Sequence, residues 1–222
     1  MNEKIFKTPC GEIHYWINME QGSGNITLIF LPGLTADHRL FEKQIEFFQG
    51  KYNVFVWDAP GHGKSWPFKF DFSLMDKAKW LDDIFGLENI QAPVIIGQSM
   101  GGYVGQAYSE LFPNKLKGFV SIDSAPLQRK YVTGIELWLL KRMEPVYRYY
   151  PWKSLLNIGT KGVAVSAYGR KLMHDIMMAY DGDQKRYAQI SGHGFRILAE
   201  AMEADLLYKV QCPAQLICGE KD

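Results

Sequence analysis

Apolar residues in this chain fall into two rhythms. Residues 5–8 and 13–19 surround Cys10 and Gly11 and predict an opening antiparallel hairpin, while 26–31, 53–57, 93–96 and 116–122 are short apolar runs of the kind that form buried strands. Between them, 36–48, 73–85 and 102–111 carry helical spacing. Ser73 and Asp76 have the separation of a capping box, and Pro113 ends the third helix. Strands alternating with helices predict an α/β domain with a mostly parallel sheet. From 127 to 204 the strand rhythm stops. A stretch rich in Trp, Tyr, Met and Leu takes over with helical periodicity and predicts an inserted helical cap. The division expected is therefore a core formed by 1–126 and 205–222, with a cap of 127–204 between its two parts. Most of the dense apolar positions from Trp138 to Trp152 are expected to pack helices, and a minority to face a cleft. Residues 213–218 read as a further strand running into Gly219-Glu220-Lys221-Asp222.

Composition changes this picture little. A chain of 222 residues can bury a full core, and Lys+Arg 25 against Asp+Glu 24 leaves a net charge of +1. That balance asks for neither nucleic acid nor an anionic membrane surface. Cys10, Cys212 and Cys218 are an odd set without metal-ligand spacing, which fits reduced thiols, and Cys212 and Cys218, which flank or lie in one strand, are expected to pack as small hydrophobes. The amino terminus has no signal-like apolar segment and no run is long enough to span a bilayer, so a cytoplasmic protein is expected.

Candidate chemistry enters with Gly97-Gln98-Ser99-Met100-Gly101. This G-x-S-x-G follows a strand-like run and opens a helix-like one. In that setting the serine sits on a sharp strand-to-helix turn with its hydroxyl exposed above the helix N-terminus, a nucleophile elbow. Three other segments join it: Leu31-Pro32-Gly33-Leu34 after the third strand, Asp58-Ala59-Pro60-Gly61-His62-Gly63-Lys64-Ser65 after the fourth, and the terminal Gly219-Glu220-Lys221-Asp222.

Together these segments resemble the α/β-hydrolase superfamily over the whole chain apart from the variable cap. The resemblance implies Ser99 as nucleophile and the Leu34 and Met100 N–H groups as an oxyanion hole, with Pro32 standing where a histidine is common. It implies Asp222 as the acid that orients a histidine, with Asp123, at the end of the sixth strand, as the alternative. The 58–65 segment is then a structural turn, His62 included. The family's base follows its acid. Here all five histidines (His14, His38, His62, His174 and His193) precede Asp222. The expectation is that the C-terminal helix and strand, with the histidine, lie beyond this sequence; a natural form without a base is the competing reading. His38 and His193 could reach the cleft, although surface or packing roles fit each better.

The implied reaction is acyl transfer to water through an acyl-enzyme on Ser99, with a small apolar ester or related acyl compound as substrate. A serine at the elbow argues against alkyl-enzyme chemistry. No metal or organic cofactor is implied. The competing function is a ligand-binding or scaffold protein of the same fold that lacks the base.

Overall fold

The computed structural model describes residues 1–19, 26–91 and 93–219. Among them the strands are β1 (Asn2–Thr8), β2 (Gly11–Asn18), β3 (Thr27–Leu31), β4 (Asn53–Trp57), β5 (Val94–Gln98), β6 (Gly118–Ile122) and β7 (Ala214–Ile217). The helices are α1 (Glu42–Phe48), α2 (Leu74–Leu87), α3 (Met100–Leu111), α4 (Gly134–Leu140), α5 (Met143–Tyr149), α6 (Trp152–Lys161), α7 (Ala167–Met177) and α8 (Gln184–Glu203). The strands form one sheet in the order β1-β2-β4-β3-β5-β6-β7, antiparallel through β1, β2 and β4 and parallel from β4 onward. This is the α/β architecture with a mostly parallel sheet that the alternation of patterns predicts, and it agrees with the fold that the motif resemblance implies.

Local rules explain most boundaries. Ser73 and Asp76 close the capping box of α2 reciprocally, and Leu74, Ala78, Leu81, Ile84 and Phe85 bury its inner face. The first expected helix begins instead as a 3-10 turn, His38–Phe41, because the Asp37 carboxylate accepts the Arg39 N–H and tightens the entry. Strand β4 is buried along its whole length, as a central strand covered on both faces must be. At the other edge β7 is exposed throughout, and Cys218 beyond it is exposed as well, against the expectation that it packs; Cys212 does pack against the core.

Chain order reverses around β3, whose neighbours are β4 on one side and β5 on the other. At such a switch point the loops leaving the C-terminal ends of adjacent strands part and leave a crevice. The turns after β3, β5, β6 and β7 all leave that edge of the sheet.

The β5–α3 turn permits no side chain at two positions. A Cβ on Gly97 would strike the Gly101 carbonyl group, and one on Gly101 would strike the Leu31 carbonyl oxygen; backbone cannot rotate away as a side-chain tip can. Gly101→Ala is expected to cost at least about 2 kcal/mol in urea unfolding. Gly86→Ala, in α2 where an added methyl meets nothing, is expected to stabilise by about 0.5–1 kcal/mol. Equal effects would remove the close approach as the reason for glycine in this turn.

Candidate active site

Ser99 has φ 48° and ψ −115°, a conformation that non-glycine residues avoid. Its N–H donates to the Ile122 carbonyl at 2.8 Å, and its carbonyl accepts from Gly102 and Tyr103 in the first turn of α3 and from the Ser124 hydroxyl at 2.8 Å. These bonds from β6 and α3 hold a strained backbone that costs about 1–3 kcal/mol in isolation. The side chain is thereby lifted into a cavity of about 510 Å³ between the strand ends and the cap.

Core and cap divide the cavity wall. Leu34, Thr35, Gln98, Ser99 and Asp123 come from the strand ends. Leu155, Ile158, Leu172, Met173 and Met177 supply an apolar roof from α6 and α7, and Tyr147 and Tyr187 close the side toward α5 and α8. Burial pushes the Tyr187 hydroxyl up to about 12, so it stays a neutral donor at any ordinary pH.

Two backbone N–H groups near the cavity are without a backbone partner among the described residues. Met100 is the first residue of α3, so the helix offers its N–H no partner, and among the described residues no backbone carbonyl accepts from Leu34. The loop carrying Leu34 is held in an unusual shape, with Thr35 at φ 64°. Tyr180 donates its hydroxyl to the Thr35 carbonyl at 3.1 Å, so a buried cap tyrosine braces this loop. Sequence reasoning missed Tyr180, whose pattern reads only as helix packing, and Gln98, whose side-chain oxygen fills the space a Cβ on Gly33 would take.

Asp123 lies at the end of β6 with φ 50° and lines the cavity with Ser99. Its N–H donates to the Ile217 carbonyl and its Oδ1 accepts the Gly219 N–H at 3.2 Å, which ties the β6 turn to the turn after β7. Asp222 lies outside the described residues.

None of the five histidines lines the cavity. His14 pairs with Glu3 at 3.0 Å on the outer part of the sheet, and His174 is exposed on α7. His38 donates through Nδ1 to buried Asp58 at 2.8 Å and stacks on Trp16 at 3.8 Å, in a separate surface hollow. Asp37, His38 and Asp58 bring three potential metal-donor atoms within 4.8 Å. Their oxygens are already engaged: Asp58 accepts from the His38 and Lys64 N–H groups, and Asp37 holds the Arg39 guanidinium. The cluster is a clasp between the β3 and β4 loops.

His62 and His193 are buried together, one in the 58–65 turn and the other on α8. The Pro60 carbonyl can only accept, so His62 donates through Nδ1 at 3.1 Å and its neutral ring presents Nε2 as an acceptor. Arg196 can only donate, so His193 accepts at Nδ1 at 2.8 Å and carries its proton on Nε2. Burial, reinforced by the positive charge of Lys77, pushes both rings down to about 3. Burial also lowers Lys77 to about 8, since its side chain is enclosed on α2. These groups pack the cap against the core away from Ser99, and His193 is a packing histidine.

The profile of a family described as alpha/beta hydrolase fold matches residues 26–149. The chain is 31% identical over 208 residues to 3-oxoadipate enol-lactonase 2 of Acinetobacter baylyi, covering 88% of this chain and 71% of that protein. It is 26% identical over 207 residues to pimeloyl-[acyl-carrier protein] methyl ester esterase of Wigglesworthia glossinidia brevipalpis, covering 90% and 76%. Among solved structures, a probable hydrolytic enzyme of Pseudomonas aeruginosa PAO1 superposes with TM-score 0.74 at 16% identity, over 100% of this chain and 73% of that one. A Nitrososphaera gargenis structure from a study of carboxylesterases gives TM-score 0.72 at 13% identity, over 98% and 80%.

Proposed function

The chain belongs to the alpha/beta-hydrolase family, and on that premise we propose that it is a serine hydrolase that opens a carboxylic ester or lactone of a small apolar acyl compound. The observation that carries the reading is Ser99, set in left-handed backbone at the N-terminus of α3 and opening into an apolar cavity. Its hydroxyl would attack the carbonyl carbon, and the Leu34 and Met100 N–H groups would receive the developing oxyanion, which backbone fixed by β3 and β5 does without reorganising. The acyl group would occupy the roof of aliphatic and methionine side chains, and water would release it from the serine. The relatives that act on a methyl ester and an enol-lactone support acyl chemistry over alkyl transfer.

For the acid we retain Asp222 on its G-x-x-D setting. Asp123, through its bond to the Gly219 N–H, would position the segment leading to it. The reading assigns nucleophile, oxyanion donors and acid, and no histidine to the base. The mostly aliphatic and methionine wall of the cavity also suits a second reading, a protein that binds an ester-type ligand under the cap without turning it over. A fluorophosphonate probe, applied with imidazole present as a general base, separates them: Ser99 should be phosphonylated, while Ser99→Ala should not react. An unlabelled Ser99 with a bound acyl ester detected by calorimetry would establish the binding protein.

A further inference from the structure

A net charge of +1 hides a strong asymmetry. Between Glu144 and Asp175 the chain carries no acidic residue, yet it has Arg148, Lys153, Lys161, Arg170 and Lys171, all exposed. No ion pair holds any of the five among the described residues. The same segment shows water large apolar side chains: Tyr149 is 80% exposed, Val165 73% and Val163 62%. In the turn from α6 to α7, Gly162-Val163-Ala164-Val165 stands between Lys161 and the Arg170-Lys171 pair, and Arg170 Nε holds the turn by donating to the Ala164 carbonyl at 2.9 Å. Val163, Ala164 and Ile158 also line the cavity that contains Ser99, so the apolar turn is the rim of that cavity.

We propose that the α6–α7 rim is a docking surface for a membrane bearing anionic lipids. Unpaired cations around an exposed apolar tip are what an interfacial segment presents: the cations hold the headgroups and the tip enters the acyl boundary. A valine-alanine-valine tip has no side-chain donor or acceptor with which to select an acidic protein, and this favours lipid. Docked in this way, an apolar substrate passes from bilayer to cavity without crossing water. No helix among the described residues is long and apolar enough to cross the bilayer, so the contact would be peripheral.

Co-sedimentation with vesicles tests this, using phosphatidylcholine alone and phosphatidylcholine mixed with phosphatidylglycerol. The protein should sediment with the anionic vesicles and stay in solution with the neutral ones, and added salt should release it. Lys153→Glu/Lys161→Glu/Lys171→Glu should lower the partition coefficient about 100-fold, from roughly one kcal/mol of attraction per cation. Val165→Asp, which alters neither those cations nor the cavity lining, should also weaken binding; circular dichroism melts would show both variants folded. Binding is read equally well with Ser99→Ala, so failure of docking and failure of the serine chemistry are separate results. Equal partition on both vesicle types, or unchanged binding by the triple variant, would overturn the proposal. Retention on immobilised polyglutamate without binding to either vesicle would overturn it in favour of an acidic protein partner.

Discussion

Imidazole added to the 222-residue chain should raise its turnover of aryl acetates by about 10²-fold or more, and should do so only when Ser99 is present. The cavity of about 510 Å³ has room for an imidazole beside an acetyl group, and no histidine of the chain occupies it. Without a base the serine hydroxyl is a weak nucleophile, and the oxyanion donors by themselves leave roughly 10³-fold acceleration over water. A diffusible base would supply a proton acceptor for the Ser99 hydroxyl. The rate should saturate with imidazole and, after subtraction of the solution reaction, vanish in Ser99→Ala. Asp222→Asn should remove more of the imidazole effect than Asp123→Asn, because the acid would hold the imidazolium as it forms. The reverse order would move the acid to the end of β6. An imidazole effect equal in Ser99→Ala and the parent chain would end the assignment of Ser99.

Acid should unfold the protein steeply as pH falls below 6.5. The fold keeps His62 and His193 neutral down to about 3, whereas the unfolded chain protonates both near 6.5. Between those values the unfolded state binds the extra protons, so the stability present above pH 6.5 is lost progressively as pH falls. Each ring contributes about 1.4 kcal/mol per pH unit, and the pair about 3. A domain stable by about 5–15 kcal/mol exhausts that margin within a few pH units. Urea midpoints measured from pH 7 downward would give the slope. His193→Phe, which keeps an aromatic ring against Phe70 and Phe72, should roughly halve it. A slope unchanged in that variant would show that His193 is protonated in the folded state.

Much of this was legible along the chain because its causes are local. The strand and helix rhythms follow from which faces are buried, the α2 capping box from two residues three apart, and the elbow from glycines flanking a serine at a strand end. The exposure of Cys218 was not legible, since an apolar strand pattern carries no statement of what covers it. Charge counted over the whole chain likewise concealed the acid-free rim of the cap.

The sequence by itself determined the α/β class, the helical stretch between the sixth and seventh strands, and Ser99 as the residue to examine, because periodicity and turn chemistry act within a few residues. Only the tertiary structure decided that Asp123 shares a cavity with Ser99, that Tyr180 braces the Leu34 loop from the cap, and that His38 and His193 face elsewhere. Apart from the bond between His193 and Arg196, those relations join residues from twenty to more than a hundred positions apart. They depend on how the cap closes over the sheet, and no local pattern encodes the direction in which a distant side chain points.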